Sequence, residues 1–138
     1  MKRAALLLAW VPLFACTDPA RVETRSLVDA VTRFRLAGDG EKHARISDIQ
    51  HVNCTAHDVC AARDTCLRMA EEWDHSLALR VQVNTALADL KNGTLAKDDP
   101  RAQSLPSVLD ESQTSLEHAH ALGKTCDDQL SEITVHHK

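Results

Sequence analysis

The stretch LDESQTSLEHAHALGKTCDDQLSEI, residues 109–133, carries the most regular pattern in the chain. Small or apolar side chains recur in it at alternating spacings of three and four residues, the repeat of one face of an α-helix. These positions are Leu109, Ser112, Leu116, Ala119, Gly123, Cys126, Leu130 and Ile133. The pattern predicts a helix packed along its length on a neighbour. Ser112, Ala119 and Gly123 are small, so the neighbour could approach closely or place a bulky side chain such as Trp73 there.

A second stripe, with steps of three and four residues that do not strictly alternate, precedes this one. Its positions are Cys66, Ala70, Trp73, Leu77, Val81, Asn84, Leu87 and Lys91, the last as a solvent-exposed end. Ser47 followed by Gln50 has the form of a capping box, and Thr55 offers a second, weaker start. Asn92-Gly93 is a natural stop. The sequence predicts a helix over residues 47–92, and a polar, proline-containing connection over residues 94–106.

A shorter helix is predicted at residues 19–37. Asp18 suits the N-cap, Pro19 the first helical position and Gly38 the stop. Sustained period-2 alternation is absent from the sequence, which argues against strands. We therefore expect an all-α fold: a small three-helix bundle over residues 19–37, 47–92 and 106–135, dominated by a long antiparallel helical hairpin.

The first sixteen residues have the features of an export signal. Lys2 and Arg3 precede an apolar run over residues 4–11, which is followed by Leu13-Phe14-Ala15-Cys16. These four residues resemble the lipobox of bacterial lipoproteins, although Phe14 departs from the usual small or aliphatic residue. The resemblance implies removal of residues 1–15 and lipidation of Cys16, which leaves one domain at residues 16–138. An ordinary secretory signal is the alternative, but Leu13 is larger than the residue that general signal peptidase prefers there.

The same resemblance implies a location. In enterobacterial lipoproteins an Asp directly after the lipidated cysteine retains the protein in the inner membrane, and here Thr17 takes that position. We therefore expect a cell-envelope protein held in the membrane through Cys16, by default in the outer membrane and facing the periplasm.

The net charge of the chain and the positions of its arginines bear on which partners it can bind. The chain has 16 basic and 20 acidic residues and a formal charge of −4, which becomes −6 without Lys2 and Arg3. An acidic body argues against nucleic-acid binding. Arg21, Arg25 and Arg35 fall within about 80° of one another on a helical wheel, so they could meet lipid phosphates beside the anchor. A solvated helix face is the favoured interpretation of these arginines, and contact with lipid is the alternative.

The cysteines predict covalent cross-links. With Cys16 lipidated, four cysteines remain, and an oxidising periplasm would favour two disulfides among three possible connectivities. In an antiparallel hairpin, linked residues are nearly equidistant from the turn, and Cys66 is the nearest cysteine to the level of Cys126. That pairing leaves Cys54 with Cys60, which requires a break in helix between them.

A metal or redox site is the competing interpretation of these residues. Cys54, His57 and Cys60 lie three apart in sequence and could supply ligands. CxxC, CxxCH and HExxH motifs are all absent from the sequence, however, and His136-His137 belongs to a tail that we expect to fray.

Two functions remain open from the sequence. The chain has no recognisable catalytic or cofactor-binding motif, so we expect neither an enzyme nor a bound cofactor. The favoured function is a structural or protein-binding role in the envelope, through the part of the hairpin near residues 92–107 that the bundle leaves uncovered. The alternative is a small periplasmic metal- or ligand-binding protein that uses the Cys/His-rich segment 51–66.

Overall fold

A computed structural model describes residues 18–138; the proposed signal segment and Cys16 lie outside this part of the chain. The described residues form five helices and no strand. The helices are α1 (Pro19–Leu36), α2 (Asp39–Gln50), α3 (His57–Asn92), α4 (Pro100–Gln103) and α5 (Leu105–His136). The expected all-α bundle with a dominant antiparallel hairpin is confirmed, and α3 and α5 form that hairpin.

The predicted start of the second helix at Ser47 is wrong. α2 begins at Asp39, and Ser47 lies inside it, donating a hydrogen bond from its hydroxyl to the carbonyl oxygen of Ala44 (2.9 Å). Two acidic residues in the first turn, Asp39 and Glu41, favour a helix start because they face the positive end of the helix dipole. The turn after α1 is therefore shorter than predicted.

The single helix predicted over residues 47–92 is interrupted at residues 51–56. The buried carboxylate of Glu23, on α1, accepts hydrogen bonds from the backbone N–H of Thr55 (2.9 Å) and of Ala56 (3.4 Å), and from the Thr55 hydroxyl (2.8 Å). These bonds satisfy backbone donors ahead of α3 and join it to α1. Thr55 thus precedes a helix start, as predicted, but its side chain binds Glu23 instead of capping the helix.

The hairpin is much longer than the elements that pack beside it. At 1.5 Å per residue, the 36 residues of α3 extend about 54 Å, whereas the 18 residues of α1 extend about 27 Å. α3 ends at Asn92 and is capped by Gly93, whose positive φ of 74° suits glycine. The connection contains the single-turn helix α4, which is capped by Asp99.

α1 and α2 cover only one end of the hairpin. We call this end the base; it holds Glu23, Thr55, Asp58 and His137, and the opposite end, at Gly93, is the tip. The main apolar core lies towards the base. Its largest fully buried side chains are Phe34, Leu27, Ile49, Ile133, Val31 and Val59.

In the half of the hairpin nearer the tip, fewer residues of α3 are buried. Its interior contains a pair of buried serines, with Ser76 donating to the Ser112 carbonyl (2.9 Å) and Ser112 donating to the Ser76 carbonyl (3.0 Å). Small side chains therefore let α3 and α5 approach closely, as the sequence of α5 predicted for Ser112. Val81, Leu87 and Leu109 are each more than half exposed in this region.

Candidate functional site

A groove of about 480 Å³ opens where α1 and α2 meet the α3–α5 hairpin. Phe34, Met69, Trp73 and Ala119 give it an apolar lining. Gly123 also lines it, and because this residue has no side chain the space above Met69 stays open. The groove therefore offers an apolar surface that water can reach, between four helices.

Lys42 places a positive charge inside the groove. Its side chain is buried, and Nζ donates hydrogen bonds to the backbone carbonyls of Phe34 (3.0 Å) and Arg35 (3.3 Å) at the end of α1. The ammonium also lies 4.8 Å from the ring centre of Phe34 and 5.4 Å from that of Trp73. Such cation–π contacts stabilise the charge where solvent is partly excluded.

The rim of the groove is charged and mixed in sign. Arg35 forms an ion pair with Asp127, and Lys124 and Asp128 lie beside them. The ring of exposed His120 meets Trp73 edge-on at 5.4 Å between ring centres. Together with Lys42, three cationic side chains face two carboxylates, so the groove is net positive on a chain that is net negative.

The three arginines considered as membrane contacts do not lie at the same height along α1. All three are exposed, and Arg21 and Arg25 lie in the first two turns of α1. Arg35 is 14 residues beyond Arg21, about 21 Å along the helix, and pairs with Asp127 at the groove. Only Arg21 and Arg25 therefore remain close to the start of the domain.

The four cysteines of the described region form the two pairs that the hairpin geometry favoured. Cys66 is joined to Cys126, with Cα atoms 5.0 Å apart, and Cys54 to Cys60, with Cα atoms 5.2 Å apart. The latter disulfide removes both thiolates from the proposed Cys54, His57 and Cys60 ligand set. A metal site with that ligand set is therefore incompatible with the disulfide-bonded structure.

A different cluster, which the sequence patterns did not predict, lies at the base. Asp58 Oδ2 lies 3.0 Å from His136 Nδ1 and 2.8 Å from His137 Nε2. The hydrogen bond from His136, with further bonds from His137 and the Val59 N–H, lowers the pKa of Asp58 from 3.8 to about 2. The tail predicted to fray is instead held against the first turn of α3.

The segment predicted to bind a partner contributes, beside α3, to a smaller cleft of about 230 Å³. Over residues 92–107 the side chain of Leu95 is buried, and Arg101 pairs with nearby Asp99. Three exposed apolar side chains lie below the tip on the bodies of α3 and α5, and the others lie on α1 or at the base end of α5. The groove is the better-formed candidate for binding.

Comparison with known proteins finds no matching protein family, no similar curated protein and no similar solved structure. Among residues 18–138, none of the helices combines the length and apolar character needed to cross a bilayer.

Proposed function

We propose that this chain is a lipid-anchored protein of the bacterial cell envelope that binds a partner protein through the groove and performs no chemistry itself. The anchor is the acylated Cys16 of the lipobox-like Leu13-Phe14-Ala15-Cys16, and the default location is the outer membrane, facing the periplasm. The observation that carries the binding role is the apolar, net positive groove on a net negative chain.

The short separation in sequence between Cys16 and the start of α1 suits this arrangement. α1 starts at Pro19, so an anchor at Cys16 would hold the base beside the membrane, with Arg21 and Arg25 near lipid phosphates. Phe34 lies about 22 Å further along α1. The groove would then stand clear of the lipid headgroups and face proteins in the periplasm.

The chemistry of the groove defines the partner segment. Its apolar lining suits a large apolar side chain, because burial of such a side chain against Phe34, Met69 and Trp73 removes both surfaces from water. Lys42 and Lys124 favour a carboxylate next to that side chain. We therefore expect a partner segment with an aromatic or aliphatic residue beside Asp or Glu.

Site-specific photocross-linking in cells tests this proposal. A benzophenone amino acid placed at His120, on the rim, should cross-link a defined protein, and the same amino acid at exposed Thr114, outside the groove, should not. Lys124→Glu in the same chain should abolish the cross-link, because it reverses a charge at the rim. Equal cross-links from both positions, or a cross-link that survives Lys124→Glu, would contradict the proposal.

A small apolar anion is the second candidate ligand, because a groove of about 480 Å³ lies in the size range of small-molecule sites. Trp73 is the only tryptophan outside the proposed signal, so its fluorescence reports on the groove alone. A saturable response of Trp73 to a fatty acid, without any cross-link from position 120, would favour this candidate over a protein partner.

A further inference from the structure

The structure also brings together three metal-ligating side chains at the base, far from the groove along the hairpin. The carboxylate belongs to Asp58, in the first turn of α3, and the imidazoles belong to His136 and His137, at the end of α5. One ligand atom from each lies within 4.8 Å of the other two. We propose that Asp58, His136 and His137 bind a divalent zinc ion.

The convergence of both rings on one oxygen supports a site rather than a single ion pair. Successive residues of a helix point about 100° apart, so two adjacent histidines do not ordinarily face the same group. Here α5 ends at His136, and His137 leaves helical geometry with φ −106° and ψ 37°. This change of direction turns the His137 ring to the same carboxylate oxygen.

The carboxylate is fixed for that role. Its second oxygen, Asp58 Oδ1, accepts the backbone N–H of Val59 at 2.9 Å, which orients the group and leaves Oδ2 towards the histidines. Hydrogen bonds of this kind, made by the outer oxygen of a ligating carboxylate, hold metal ligands in position.

The two histidine rings differ in burial: the His137 side chain is 12% exposed and that of His136 is 72% exposed. An ion could therefore enter from the His136 side.

The contacts to Asp58 require only small movements to accept zinc, and the two ring nitrogens, which lie within 4.8 Å of each other, would be about 3.3 Å apart around the ion. Bonds of about 2.0–2.1 Å in a tetrahedral site separate the ligand atoms by about 3.3 Å. Asp58 Oδ2 lies 2.8 and 3.0 Å from the two ring nitrogens, so each contact would lengthen by a few tenths of an ångström. Two imidazoles and one carboxylate suit zinc, and three protein ligands leave a fourth position open to water or another ligand.

The charge around the site also favours a cation. Glu23, which lies close enough to interact with the charge of His137, adds a second carboxylate at the base. Its oxygens are engaged by Thr55 and Ala56, so we assign it no role as a ligand. A bound ion would join the ends of α3 and α5 near the Cys54–Cys60 disulfide, and this inference does not depend on the groove or on the lipid anchor.

Isothermal titration of the tag-free protein with zinc chloride is the primary test. We expect one saturable site, and an affinity at least about tenfold weaker in Asp58→Asn and in His137→Gln. Titration with cobalt(II) provides an independent readout, since the proposed low-coordinate site should give visible d–d absorption that both variants lose.

The control is another histidine–carboxylate pair on the surface. His75 Nε2 lies 3.2 Å from Glu111 Oε1, but residues 18–138 supply no third ligand atom to this pair. His75→Gln should leave zinc affinity unchanged. If Asp58→Asn or His137→Gln fails to fold, as judged by circular dichroism, His136→Gln replaces it, because that side chain is mostly exposed. The absence of saturable binding, or equal weakening by His75→Gln and the base variants, would overturn the inference.

Discussion

The Cα atoms of Cys66 and Cys126 lie 5.0 Å apart, and both side chains are fully buried between α3 and α5. Because these helices are antiparallel, this link fixes which residues face each other along the hairpin. Eight residues before Cys66 on α3 is Asp58, and ten residues after Cys126 on α5 is His136, which contacts it. The disulfide and the base cluster are therefore consistent with one alignment of α3 against α5.

Loss of the Cys66–Cys126 disulfide should destabilise the fold more than loss of Cys54–Cys60. The two links close loops of 60 and 6 residues, and in the chain-entropy account they contribute about 4 and about 2 kcal/mol. Urea unfolding of Cys66→Ala/Cys126→Ala and of Cys54→Ala/Cys60→Ala measures both effects. A larger loss for the shorter loop would show that this account of the stability is wrong.

Replacement of glycine by alanine should have opposite effects at two positions. Gly123→Ala should raise the free energy of unfolding by about 1 kcal/mol, because alanine favours the helix and the new Cβ meets Met69 Cγ at an ordinary 3.7 Å. Gly93→Ala should lower it by about 1–2 kcal/mol, since φ is 74° there. Thermal and urea unfolding of both variants checks the signs. Destabilisation by Gly123→Ala would mean that α5 has no room at this position.

Lys42→Met should destabilise the protein by about 1–3 kcal/mol. The substitution keeps an apolar stem but removes the ammonium that donates to the carbonyls of Phe34 and Arg35. Trp73 fluorescence should change as well, since Lys42 lies beside its ring. Lys91→Met, at an exposed position, is the matched control and should shift stability by less than about 0.5 kcal/mol. Equal effects of the two substitutions would show that Lys42 is not a structural cation.

Acid should weaken the contact between α1 and the start of α3. The backbone N–H of Thr55, with further bonds from the Thr55 hydroxyl and Ala56, lowers the pKa of Glu23 from its ordinary 4.5. Ionised Glu23 therefore stabilises the fold above about pH 4.5, and this contribution is lost as pH falls through the lower folded-state pKa. Glu23→Gln should be less stable than the wild type at pH 7, with a smaller difference at pH 3.

Urea midpoints at the two pH values measure this effect. Glu132→Gln places the same substitution on an exposed residue of α5 and serves as the control. A difference between Glu23→Gln and the wild type that stays constant from pH 7 to pH 3 would rule out the proposed role of the charge.

Helix periodicity predicted the hairpin well because its signal is repeated over many turns. In α5 the expected stripe is buried or half-buried from Ser112 to Ile133, and only Leu109 at its start is exposed. In α3 the stripe is buried at Cys66 but exposed at Val81. Its two successive steps of four residues after Trp73 advance about 80° around the helix, whereas the buried residues Ser76 and Val83 lie seven apart.

The errors lie where distant residues override local patterns. Gly38-Asp39-Gly40 is locally typical of a turn, yet α2 begins at Asp39 and is held to α1 by buried Lys42. The start of α3 depends on Glu23, 32 residues before Thr55. Neither contact leaves a local sequence signal.

The base cluster was within reach of the sequence. The register that paired Cys66 with Cys126 also places His136 at the level of the start of α3. The same alignment places His136 close to Asp58. The change of direction at His137 could not have been predicted from periodicity.

Intact mass spectrometry of the protein from the membrane fraction, with and without reduction before alkylation, most directly tests the central claim of an anchored, disulfide-linked helical module. We expect a chain that starts at Cys16 with added acyl groups, and four further cysteines that alkylate only after reduction. An unlipidated start, or cysteines that alkylate without reduction, would contradict it.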